Sequence, residues 1–116
     1  MNNMYNGEEN VRRLDDGTEL TTFKKEFEEL NTLEAEAGTT GYRGGDTGHG
    51  CRTYFALRDV IYTDIRVKVI RNRDGESEGV EVVFGGDSEL KTTIKALEFI
   101  TKTLKKEVKR NSIENY

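Results

Sequence analysis

The residues most able to do chemistry crowd into one stretch. Positions 38–54 read Gly-Thr-Thr-Gly-Tyr-Arg-Gly-Gly-Asp-Thr-Gly-His-Gly-Cys-Arg-Thr-Tyr and hold six of the twelve glycines, the one His and the one Cys. Glycine lets a ligand approach the main chain closely, and successive N–H groups in such a loop can form a nest for an anion. Thr39, Thr40 and Thr47 add hydroxyl donors, and Arg43 and Arg52 add charge. Asp46 and His49 add further hydrogen-bonding groups, while Tyr42 and Tyr54 offer rings for stacking. This set suits the holding of a small anionic ligand such as a nucleotide. It is not a standard phosphate fingerprint: no Gly-Lys-Ser/Thr closes it, and a strand rather than a helix follows.

Catalytic and metal readings of the same stretch are short of residues. Asp46, His49 and Cys51 offer three zinc ligands with no fourth nearby. A Cys51–His49 nucleophile pair would have to converge across a single glycine. A small hydrolase using Asp46, His49 and Asp87 is the remaining catalytic alternative. No catalytic residue, metal or cofactor is therefore expected. Gly44-Gly45-Asp46 recurs as Gly85-Gly86-Asp87, where Asp87 or Ser88 is read as a helix cap. An aromatic on an open sheet face near Arg58, Arg66 and Lys68 would make a second place for a ligand.

Two kinds of element must carry these residues. Leu20, Phe23, Phe27 and Leu30 recur at helical spacing, which predicts a short amphipathic helix over residues 19–30, with a strand as the alternative. Period-two alternation predicts strands over residues 32–37, 52–58 and 64–71, and a fourth through Val80, Val82 and Phe84. In the first of these Leu33, Ala35 and Ala37 face inward; Glu34 and Glu36 face solvent, opposite Arg66, Lys68 and Glu81. Asp74-Gly75 marks a hairpin turn. Leu90, Ile94, Leu97, Leu104 and Val108 predict a long C-terminal helix with a basic last turn. The fold class that follows is α+β: an antiparallel sheet of about four strands with a short N-terminal and a long C-terminal helix packed on it. Residues 1–116 form one domain, with 1–10 and 111–116 expected to fray.

Composition limits the partners. Charged and apolar residues each make up 34% of the chain, the net charge is −4 and the mean hydropathy is −0.76. No basic field attracts duplex nucleic acid, and no apolar run is long enough to span a membrane. A single Cys and a polar N-terminus lead to the expectation of a cytoplasmic protein. The low apolar content and the length of the last helix suggest a homo-oligomer, a dimer or higher.

The whole plan is a compact sheet, a Gly/Thr/Arg loop and a long C-terminal helix. It resembles the small phage-encoded proteins that sequester the nucleotide signals of bacterial immunity, the Thoeris anti-defence 1 sponges among them. The resemblance implies an oligomer that holds a cyclic nucleotide between protomers without cleaving it, in a host cytosol. The competing expectation is an acidic inhibitor whose Asp15, Asp16, Glu26, Glu28 and Glu29 block a nuclease or defence effector.

Overall fold

The computed structural model describes residues 7–44 and 50–113. Among them the order is β1 (Glu8–Arg13), β2 (Glu19–Glu28), β3 (Thr32–Thr39), β4 (Thr53–Ile61), β5 (Ile65–Arg71), β6 (Ser77–Phe84) and α1 (Asp87–Asn111). All pairings are antiparallel. β1 to β4 form one meander, and β5 and β6 form a separate two-stranded sheet. The class is α+β, as the alternating strands and the last helix indicate.

Residues 19–28 are a strand and not the helix that their spacing suggests. Phe23 and Phe27 lie an even number of residues apart, so a strand puts both on one face, opposite Ala37 and Leu33. Thr21-Thr22-Phe23 is β-branched and aromatic, and neighbours on both sides satisfy the main chain. Thr18 is no helix cap. Its N–H donates to Asp16 Oδ1, and Leu14 N–H donates to Thr18 O, closing the β1–β2 turn. β1 also takes residues 8–10, which were expected to fray.

The core lies between the meander and α1. Leu33, Ala35 and Ala37 of β3 are fully buried, as is Ala96 of α1. Small side chains on both surfaces let the helix come close to the central strand. Phe23, Phe99 and Ile100 fill the flanks, with Phe27 meeting Phe99 edge-on at 5.8 Å between ring centroids. The helix has no side-chain cap at Gly86. Ser88 instead serves the β2–β3 turn: its Oγ accepts from Leu30 N–H at 2.9 Å and donates to Asn31 Oδ1 at 2.5 Å. Asn31 Nδ2 in turn donates to Thr63 and Thr92.

The β5–β6 hairpin projects from this body. Its root is fixed, since Gly85 N–H donates to Asp64 O and Asp64 N–H donates to Glu89 Oε2. Beyond the root, Val67, Val69, Val80 and Val82 are exposed. The radius of gyration is 15.9 Å, against about 13 Å for a compact chain of this length.

Candidate functional site

The glycine-rich stretch is anchored at both limbs. Thr40 N–H donates to Arg52 O, and Arg52 N–H donates to Thr40 Oγ1, both at 2.9 Å. Thr39 Oγ1 donates to Arg52 O, accepts from Gly41 N–H, and lies 2.9 Å from Thr53 Oγ1. Further along, Arg43 and Gly50 bring the limbs together: a Cβ on Gly50 would sit 3.0 Å from Arg43 Cβ.

The end of α1 closes on the same place. Asn111 Nδ2 donates to Thr39 O at 3.0 Å, Tyr42 N–H donates to Ser112 Oγ at 2.9 Å, and Ile113 N–H donates to Tyr42 O. Residues 111–113 are thus bonded to the loop, where the sequence suggested a frayed tail. Gly41, at φ +78°, permits the approach, since a Cβ there would lie 2.7 Å from Ser112 N.

These contacts frame a pocket of about 330 Å³, lined by Thr39, Thr40 and Arg43 from the loop, Asn111 from α1, and Glu19 and Thr21 from β2. Three of the residues expected to bind therefore share one cavity. Glu19 is the opposing charge, and its carboxylate is engaged at 2.8 Å by Arg13. Asp46, Thr47 and His49 lie outside the described residues.

Arg52 and Tyr54 do not line this pocket. Arg52 Nε donates to Asp16 Oδ2 at 2.7 Å, tying the β1–β2 turn to the loop. The Arg52 hydrogen bond, reinforced by Thr18, holds the Asp16 carboxyl well below the usual range. Tyr54 turns to the sheet face away from α1, where the Arg12 guanidinium lies 4.7 Å from its ring centroid and its hydroxyl accepts from Arg58. Cys51 is half-buried, its Sγ 3.6 Å from Thr39 Oγ1 and 3.7 Å from Thr53 Oγ1. Burial pushes its pKa up, but those hydroxyls, Thr40 and the nearby charge of Arg43 outweigh burial and leave it below 9.0. Among the described residues no cluster of three His, Cys, Asp or Glu could hold a metal.

Of the hydrolase set only Asp87 is among the described residues. Asp87 begins α1, whereas the loop is tied to its far end by Asn111 and Ser112. Twenty-five helical residues span roughly 36 Å.

The sheet face away from α1 holds a network that the sequence did not reveal. Glu36 is fully buried rather than solvated. Its carboxylate accepts from Arg12 Nε and Nη2 at 3.1 and 3.0 Å, from Thr22 Oγ1 at 2.6 Å and from Arg58 Nη1 at 2.7 Å. Arg66 and Lys68, expected to face it, belong to the separate hairpin. With four donors the carboxylate is saturated, and its work is to hold two guanidinium groups beside Tyr54. The alternation Asn10–Val11–Arg12–Arg13 was the available signal, legible only once β1 is recognised as a strand.

No protein-family model, curated protein or solved structure matches this chain. Among the described residues no helix is long and apolar enough to cross a membrane.

Proposed function

We propose that the protein binds a small anionic ligand, a nucleotide of the cyclic signalling kind, without transforming it. The site is the pocket at the foot of the glycine-rich loop, and binding sequesters the ligand within a homo-oligomer in the cytosol. The observation that carries this reading is the convergence of Arg43, Thr39, Thr40 and Asn111 on one cavity. Its size is at the lower end of those that hold small molecules, roughly 300–1,000 Å³. Arg43 supplies the charge. Arg52 supports the loop from behind, its guanidinium already committed to Asp16.

The acidic-inhibitor reading has less behind it. Two of its five carboxylates are engaged by basic partners, Asp16 by Arg52 and Glu29 by Lys95.

Calorimetry with cyclic and linear nucleotides tests the proposal, together with recovery of intact ligand after denaturation. A charge-assisted hydrogen bond contributes about 1.5–3 kcal/mol, so Arg43→Ala should weaken binding roughly ten- to a hundredfold. Binding should also weaken as salt is raised. Unchanged affinity in Arg43→Ala would place the ligand elsewhere, and consumption of the nucleotide would replace a binding protein with an enzyme.

A further inference from the structure

Two apolar surfaces on this chain have no cover among the described residues. The first is one face of the hairpin. Ile65, Val67 and Val69 lie opposite Phe84, Val82 and Val80, so all six share a face. Phe84, at the inner end, packs on the core. The four valines beyond it are 39–62% exposed. The second surface is on α1. Leu90, Ile94 and Leu97 recur at i, i+4 and i+7 and are 46–59% exposed, while Ala96, Phe99, Ile100 and Thr103 are buried. The helix is thus apolar on two sides, and the sheet takes only one. β6 and α1 make only slight contact, so the hairpin does not cover the stripe of its own chain.

We propose that a second copy of this chain covers both. The valine face of each hairpin lies across the Leu90–Ile94–Leu97 stripe of the other copy's α1, in a reciprocal two-fold exchange. This specifies the oligomer invoked above, but its readout is mass rather than ligand, so the two proposals fail separately.

Two observations favour a second copy over another partner. The accessible surface is 8185 Å², whereas a folded monomer of this mass exposes about 6,400 Å². The excess over the whole chain, roughly 1,800 Å², leaves room for the ~800 Å² per partner of a standard stable interface. The shapes correspond: two paired strands with their side chains cover a band about 10 Å wide, and Leu90 to Leu97 rises about 10 Å along the helix. One chain carries both halves of the contact, as a closed two-fold interface requires.

Sedimentation at micromolar concentration tests this. Wild type should run at twice the 13.2 kDa chain mass or an even multiple of it. Val82→Lys and Leu97→Glu each alter an exposed position, so each should fold by circular dichroism yet run as a single chain. An equimolar mixture should regain paired chains, because the introduced charges are opposite and meet across the contact. Wild type at single-chain mass overturns the proposal, and so does paired mass in both variants. If either variant misfolds, Val80→Cys with Leu97→Cys in a Cys51→Ser background decides. Disulfide-linked pairs of chains support exchange, whereas a bridge closed within one chain, or none, overturns it.

Discussion

Replacing Glu36 by Gln removes a buried charge from between two arginines, and the cost can be worked from the structure. Burial alone would raise the Glu36 pKa. Hydrogen bonds from Arg12, Thr22 and Arg58 outweigh burial and hold it at about 2, against an ordinary 4.5. Each pKa unit corresponds to about 1.4 kcal/mol, so ionisation of this group stabilises the fold by about 3 kcal/mol at neutral pH. The folded value lies below the unfolded one. The stabilisation is therefore complete above about pH 4.5 and is lost as pH falls toward 2. Arg12 and Arg58 each have 37% of the side chain exposed. Once unpaired they can rehydrate, so Glu36→Gln should cost about 2–3 kcal/mol, below the 3–5 typical of breaking a fully buried pair. Urea unfolding at one fixed protein concentration, at pH 7, 5, 3.5 and 2, is the assay. The gap between wild type and variant should be widest at pH 7 and nearly closed at pH 2. A gap of constant size across that range would show that the carboxylate's charge is not what the arginines recognise.

Asn31→Ala should cost about 3 kcal/mol in thermal unfolding, because the Thr63, Thr92 and Ser88 hydroxyls all lose a partner in a buried site. Gly41→Ala should destabilise more than Gly75→Ala in the same assay. Both glycines have positive φ, which costs a side chain about 1–2 kcal/mol, but only Gly41 has main chain against its missing Cβ. The Cys51 thiol should react with iodoacetamide along a pH profile whose midpoint lies below 9.0, and Thr39→Val should move that midpoint upward. A midpoint unchanged by Thr39→Val would mean that the hydroxyl does not stabilise the thiolate.

Strands with one wet face and one dry face were legible from alternation, and α1 from its long 3.6-residue period. β2 was misread because Phe23 and Phe27, four residues apart, satisfy both periods, and pairing with β1 and β3 decides between them. β1 was missed for a related reason. Its sequence, EENVRR, has one apolar residue, so its place in the sheet depends on main-chain pairing and on Arg12 reaching Glu36. Glu36 looked solvated because alternation reports which face a residue takes, not what covers that face. At the loop the sequence indicated Thr39, Thr40 and Arg43, whose types carry the signal. Asn111 was invisible, since its part depends on where a helix 70 residues later happens to end.

The order in which the elements are made bears on how the chain folds. β1 to β4 pair only with their neighbours in sequence, so the meander can form early and locally. Yet Leu33, Ala35 and Ala37 are covered by α1, the element synthesised after all six strands. Until residues 87–111 have left the ribosome, the sheet presents a bare apolar face and unpaired edges, the kind of species that aggregates. A nascent chain stalled before α1 is therefore one that a cell would need to shelter or degrade.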